Sequence, residues 1–346
     1  MMRILQILTV CALLVLPAVL SGSYVLHLVI TTGLFIIGAM SLNLVFGYTG
    51  QLSLGHIAFF GIGAYVSALC SLGFTVPITD NFELTVAPKP VWLSFLFAIV
   101  ISGLFGWLIG KVSFRIRGAY FVIVSISFAE VVRLVALNWV SVTQGPMALN
   151  NIPPFELPIP GLEINFYSKI SNYYLILALG LLAYVIIARL VHSRVGHAMV
   201  ALRENESLAS SVGIDVTRYL VLGAVVSAAI AGAAGSLYAH YIRIIDPDIF
   251  LFIYTVTMII MIVTGGKGTL SGPLVGGAIF GVIPPVLREF AKPEVQWIIY
   301  GLLMIGVVSF MPEGIVPALQ RLRSRFGSPA VAPASAETPV SAEGSR

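Results

Sequence analysis

Charge is what this sequence has least of. Asp, Glu, Lys and Arg together make up 10% of its 346 residues, where soluble domains carry about 25%. Cysteine is almost absent: Cys11 and Cys70 both lie in apolar runs with no metal-ligand spacing, which excludes a disulfide framework and a cysteine zinc site and leaves packing as their expected role. Catalytic signatures are missing as well. There is no H-E-x-x-H, no nucleophile elbow and no close carboxylate pair within an apolar run. The segment Gly265-Gly266-Lys267-Gly268-Thr269 lacks both the earlier glycine and the Ser or Thr after lysine that a phosphate loop needs. The chain is therefore not expected to be an enzyme or to bind ATP, a metal or another cofactor itself.

What is present is hydrocarbon. Hydrophobic residues make up 58% of the chain, and its mean hydropathy is +0.99. Several apolar runs approach the ~20 residues that a spanning helix requires. They are continuous and do not alternate, which predicts helices and not a barrel. The expected spans are 4–20, 25–46, 56–74, 91–110, 118–141, 171–192, 219–243, 249–265, 270–290 and 295–311, an all-α polytopic membrane protein with about ten helices. With the amino terminus inside, thirteen of the nineteen basic residues fall on the inner side and five on the outer, with Arg133 inside a span. That bias puts both termini in the cytoplasm. It also accounts for the net charge of +4 without any nucleic-acid partner.

Two outer loops are long, Thr75–Pro90 and Ser141–Ile170, and are read as solvated. The membrane domain is expected to cover residues 1–322. The Ala-, Ser- and Pro-rich tail, 323–346, cannot bury a core and is expected to be disordered. An internal echo is present: Gly47-Tyr48-Thr49-Gly50-Gln51-Leu52-Ser53 and Gly265-Gly266-Lys267-Gly268-Thr269-Leu270-Ser271 share G-x-x-G-x-L-S. Each follows an apolar run, as in transporters built from repeats with glycine-interrupted segments; coincidence among glycine-rich helices is the alternative.

Within the spans, Glu130 and Arg133 stand at i, i+3 and can pair on one helix face. A charge at mid-bilayer costs about 2.5–3.5 kcal/mol on insertion scales, so such residues face protein or water; a pathway contact and a structural ion pair are both open. His56 follows the Gly55 turn, as a path residue or a structural histidine. Small residues at Gly223, Ala224, Ser227, Ala228, Ala231, Gly232 and Gly235 predict close helix packing.

The longest polar interruption is Ser193–Arg218. Its charges exclude it from hydrocarbon, and the basic-residue count puts it in the cytoplasm. It predicts a helix from about His197 to Val212 that Gly213 stops. Ala201, Leu208 and Val212 would turn toward the membrane side, opposite Arg203, Glu206 and Ser210. A docking helix and a plain solvated helix are equally compatible with that pattern.

The segment SRVGHAMVALRENESLASSVGIDVTRYLVLGAVVSAAIAGAAGSLYAHY resembles the coupling-loop region of the branched-chain amino-acid permeases of bacterial ABC transporters. SLNLVFGYTGQLSLGHIAFFGIGAYVSAL, GGKGTLSGPLVGGAIFGVIPPVLREF and YGLLMIGVVSFMPEGIVPAL extend the likeness from Gly33 to Leu319. The length and the GYTGQLSLGH block are similar to the longer, M-type subunit. The resemblance implies an inner-membrane importer of Leu, Ile or Val. Its partners would be an H-type permease, two cytoplasmic ATPases that hold the ATP and magnesium, and a periplasmic binding protein. It further implies that Arg203, Glu204, Asn205, Glu206 and Ala209 meet an ATPase, with Gly213 and Asp215 shaping the exit. Asn43, Gly47, Gly50, Ser53, Gly55 and His56, with Gly265, Gly268 and Ser271, would line or hinge the path.

One departure is Met311-Pro312-Glu313-Gly314, where a basic residue is expected between Pro and Gly. Related permeases serve urea, short amides and other small carboxylates, so the substrate has alternatives. A secondary transporter is a further alternative, disfavoured by the lack of an intramembrane acidic cluster.

Overall fold

The computed structural model describes residues 11–18, 22–79, 82–114, 119–159, 162–290, 295, 298–299, 301–302, 305–306, 309, 311 and 313–327. Apolar runs become helices because only an intra-segment ladder satisfies every backbone group in lipid. Helix α1 covers 11–18. Then come α2 (Ser23–Asn43), extended by a π-helical turn at Leu44–Tyr48, and α3 (Ile57–Leu72). The β1–β2 hairpin (Phe74–Thr79, Phe82–Val86) leads to α4 (Val91–Ser113), α5 (Ala119–Asn138) and the short α6 (Val140–Thr143). The β3–β4 hairpin (Glu156–Ile159, Leu162–Asn165) precedes α7 (Lys169–Val191), α8 (Arg194–Glu204), α9 (Glu206–Ser211) and α10 (Val216–Ile242). The described chain closes with α11 (Phe252–Gly265), α12 (Gly272–Phe290) and α13 (Ile315–Gly327).

The helical class holds, with spans established for part of the expected ten. Among the described residues five helices are long and apolar enough to cross a membrane, Ser23–Tyr48, Val91–Ser113, Tyr120–Asn138, Lys169–Val191 and Val216–Ile242. The expected spans 56–74 and 249–265 are realised as α3 and α11, with 16 and 14 residues. At 1.5 Å per residue they reach roughly 24 and 21 Å, short of the ~30 Å hydrocarbon layer. Helix α3 begins inside the bundle: the Ile57 amide donates to Thr255 Oγ1 at 3.2 Å. The expected spans 4–20 and 295–311 fall largely outside the described residues. Helix α13 runs past Leu322 to Gly327, and residues 328–346 lie outside the described residues.

The two long loops are more ordered than expected. Each folds back as an antiparallel hairpin, with Thr75 opposite Thr85 and Leu157 opposite Ile164. The second loop is also bridged to the end of α10, where Leu149 and Ile245 exchange backbone bonds of 2.8 and 3.0 Å.

Helix α10 is the hub, packed against α2, α3 and α4. Small residues on α10 and α3 make this possible. A Cβ on Gly235 would lie 1.8 Å from the Phe60 carbonyl oxygen, and one on Gly63 would lie 2.2 Å from that of Gly232. Close backbone approach replaces the missing hydrophobic drive between helices in lipid. Cys70 is half-buried in α3, whereas Cys11 is exposed on α1, contrary to its expected packing role.

Lys169 and Arg243 lie at one end of the bundle. Lys169 Nζ donates to Ser23 Oγ at 2.6 Å, and the Arg243 guanidinium lies 5.5 Å over the Tyr167 ring. Arg203 and Lys267 meet at the other end.

Candidate functional site

The polar insert folds as two helices where one was expected. Ser193 accepts from the Gly196 amide and caps α8. At Asn205 the backbone is extended (φ −157°, ψ 104°), which breaks the helix, and the Asn205 side chain caps α9 by accepting from the Leu208 amide at 2.9 Å. An Asn oxygen in this position competes with helix continuation and favours a fresh start. Gly213 follows with φ +88°, a left-handed turn that glycine adopts readily. Asp215 then caps α10 through the Arg218 amide at 3.0 Å.

The face of the insert also differs from the helical-wheel expectation. Leu208 and Val212 are 63% and 71% exposed. The residues turned inward are Ala198, Met199, Leu202 and Ala209. Leu202 and Ala209 form a small core with Phe114, Phe121, Val216, Leu220 and Ala224. The break at Asn205 resets the phase, so a wheel drawn through both helices assigns α9 the wrong side.

Arg203 reaches from α8 into the bundle. Its Nη1 donates to the Gly47 carbonyl at 2.8 Å, while Nε and Nη2 hold Glu204 at 3.1 and 2.6 Å. Gly47 belongs to the first G-x-x-G-x-L-S segment, and the second lies against it. Asn43 joins them: its Nδ2 donates to Thr269 O at 2.9 Å and its Oδ1 accepts from the Gly268 amide at 3.1 Å. The last glycine of each G-x-x-G has a similar left-handed conformation, φ +77° at Gly50 and +71° at Gly268. A Cβ at either would press on Arg203, at 3.0 Å from Cγ and 2.6 Å from Nη1 respectively. The Arg203 side chain thus lies between the two turns, which are 218 residues apart in the chain. The likeness is local: α2 precedes one turn with 21 helical residues, α11 the other with 14.

Lys267 completes the cluster with its ammonium 4.3 Å from the centre of the Phe46 ring. Lys267 is exposed on one side; the desolvation of its other side, and then the Arg203 guanidinium, hold its pKa below the ordinary lysine value. Lys267, Thr269 and Phe46 were not singled out from the sequence. The GGKGT segment was legible there as one copy of the glycine echo and as part of the family likeness, without a role for its lysine.

The other expected path residues are placed as follows. Gly47, Gly55, Gly265, Ser53, Asn43 and His56 are buried, Gly268 and Ser271 are half-buried, and Gly50 is exposed. His56 Nε2 lies 2.8 Å from Ser41 Oγ. Because Ser41 Oγ already donates to Gly38 O at 2.7 Å, the hydrogen of the pair belongs to His56 Nε2. Gly55 meets α5 so closely that a Cβ would fall 1.7 Å from Ser125 O, and Ser125 Oγ accepts from the Leu54 amide at 3.0 Å. These residues are brought together with one another but not with Glu130 and Arg133. That pair sits outward on α5, bidentate, at 2.7 Å between Arg133 Nη2 and Glu130 Oε1. On the insert, Glu204 and Asn205 are exposed and Glu206 is half-buried.

Among the described residues no group of three His, Cys, Asp or Glu has the placement to hold a metal ion. The arrangement links the insert, through Arg203 and Asn43, to two backbone turns.

Residues 24–308 match the family of branched-chain amino acid transport system permease components. The high-affinity branched-chain amino acid transport system permease protein LivM of Salmonella typhimurium is 30% identical over 311 residues, 83% of this chain and 68% of that protein. The corresponding LivH of Escherichia coli K12 is 30% identical over 285 residues, 80% of this chain and 89% of LivH. A probable LivM of Methanocaldococcus jannaschii is 24% identical over 319 residues, covering 82% and 91%. No solved structure shows a significant match.

Proposed function

The chain belongs to the branched-chain amino acid transport permease family, and from that premise we propose that it is the longer permease subunit of an ATP-driven inner-membrane importer. It pairs with a shorter homologous permease, two cytoplasmic ATPases and a periplasmic binding protein, and its cargo is Leu, Ile or Val. Alternating access follows from ATPase closure pushing on the Ser193–Arg218 insert.

The observation that carries this reading is the bond from Arg203 to Gly47 O. It joins the element best placed to meet a motor directly to the two glycine turns. On the outer side of the insert, Leu208 and Val212 offer apolar knobs beside Glu204, the composition of a docking surface with a small anchor and a polar rim. Movement of α8 would then act on Gly47, and through Asn43 on Gly268, in one rigid step. Residues Ser53 to His56 and Gly265 to Ser271 act as hinges in this scheme.

Replacing Glu204 and Glu206 with Lys in the complete transporter, reconstituted in vesicles, is expected to separate ATP hydrolysis from Leu uptake. Unchanged uptake per ATP would remove the insert from the coupling route. Uptake driven by a proton gradient without ATP would remove the motor altogether.

A further inference from the structure

We infer that the cleft between the ends of α2, α7 and α10 binds the phosphate of an anionic phospholipid. The inference goes beyond the transport role and rests only on the chain being a membrane protein.

The cleft has a volume of about 420 Å³, and its lining includes His27 from α2, Tyr167, Lys169 and Asn172 around the start of α7, and Tyr241 and Arg243 at the end of α10. Among the described residues no Asp or Glu lines it, and neither Lys169 nor Arg243 has an ion-pair partner. Lys169 Nζ donates twice to Ser23, to the carbonyl at 3.1 Å and to Oγ at 2.6 Å, and an ammonium has three hydrogens to give. Arg243 donates from Nε to Ile152 O at 3.2 Å; among the described residues its two Nη groups meet no acceptor. The Tyr167 ring, 5.5 Å from the guanidinium carbon, restrains that group at the cleft. Arg243 is also the left-handed residue that ends α10, at φ +67°, where glycine carries the least strain. A long side chain held at a strained position points to a use for its charge.

Depth identifies the occupant. All three helices are long and apolar enough to cross a membrane. His27 stands four residues into α2, about 6 Å at the helical rise; Lys169 is the first residue of α7, and Arg243 follows the last of α10. The cations therefore lie within the headgroup layer, which adds about 5–7 Å to each side of the hydrocarbon, and Tyr167 and Tyr241 belong to the aromatic belt expected there. Below Lys169, α7 exposes Ile170, Tyr174, Leu182, Val185 and Ile186, a surface along which acyl chains can lie. A soluble anion gains nothing from that surface. Lys and Arg above an apolar helix suit a lipid phosphate, which accepts charge-assisted bonds from both.

The test uses the full-length chain, purified in detergent and stripped of lipid, then titrated with phosphatidylglycerol or phosphatidylcholine and followed by native mass spectrometry. Phosphatidylglycerol is expected to bind more tightly than phosphatidylcholine, whose choline neutralises its phosphate, and added inorganic phosphate is expected not to displace it. Lys169→Gln and Arg243→Gly, which keeps the left-handed turn, should each weaken phosphatidylglycerol binding ~5-fold and together about 25-fold, the effect of one and two cations at a membrane surface. Thermal stability separates the site from the fold. Without lipid, Arg243→Gly should melt close to the parent, while its gain in Tm on adding phosphatidylglycerol should shrink. The single variants carry the test if the double variant does not accumulate. Equal affinity in the parent and both single variants, or equal binding of the two lipids, would overturn the inference. Displacement of phosphatidylglycerol by inorganic phosphate would assign the cleft to a soluble anion and overturn the lipid assignment.

Discussion

Removing the Arg203 guanidinium is the sharpest way to probe the link between insert and bundle. In Arg203→Met the charge-assisted bond to Gly47 O, 2.8 Å long, disappears, while most of the aliphatic stem remains. Bonds to charged groups contribute about 1.5–3 kcal/mol. The Arg203 side chain is 30% exposed, and solvent screening brings the expectation to the lower end, about 1.5 kcal/mol. The Glu204 partner is 67% exposed and is left to water at little penalty. If the bond is made in one transport state and not in the other, its loss changes that equilibrium by roughly tenfold. The assay compares Leu uptake per ATP hydrolysed with thermal stability of the purified transporter. Uptake per ATP should fall several-fold with only a small drop in Tm. Asn43→Ala, which cuts both bonds to the second turn, should give less than an additive effect when combined, because both act on one chain of contacts. Normal coupling in Arg203→Met, or strict additivity in the double variant, would refute a mechanical route through Gly47.

Packing at α10 offers an independent check. Gly235→Val places side-chain carbon against the Phe60 carbonyl and is expected to cost several kcal/mol and to lower the yield of folded protein, read by size-exclusion chromatography. Gly223→Ala, whose Cβ would meet chiefly the flexible end of Met199 at 3.3 Å, should behave like the parent. Lys267 gives a pH signature. Its folded pKa lies below the ordinary 10.5, so the charged form is disfavoured in the fold and the penalty is fully present at neutral pH. The parent should gain stability relative to Lys267→Met as pH rises through the folded value toward 10.5; a constant Tm difference would deny that burial governs this lysine. The Phe46 ring offsets part of the effect by favouring the cation.

The membrane class and the small-residue packing of α10 could both be read from the sequence. Each depends on composition or on a short local pattern: lipid cannot solvate a polar backbone, and a helix crossing needs small side chains wherever it occurs. The family likeness was legible in the same way, in runs of residues that stand together. The starting point of α3 was not, because a 16-residue apolar run reads alike whether it begins at the edge of the bundle or inside it. What separates the two is where its first amide finds a partner, and Thr255, nearly two hundred residues on, supplies the bond to Ile57.

The insert shows the same division. Its charge and its caps were written at Ser193, Asn205 and Asp215, yet the helical wheel failed because the Asn205 break rotates α9 against α8. Glu130 and Arg133 were recognisable as a pair from their spacing, but only the tertiary packing decided that they point away from the bundle. The meeting of Gly47, Arg203 and Gly268 had no local signal beyond a shared G-x-x-G. A sequence records what each segment needs to bury or solvate, and those needs are local. Which segment meets them is set by how the helices pack, and in this protein that packing carries Arg203 into the gap between two turns.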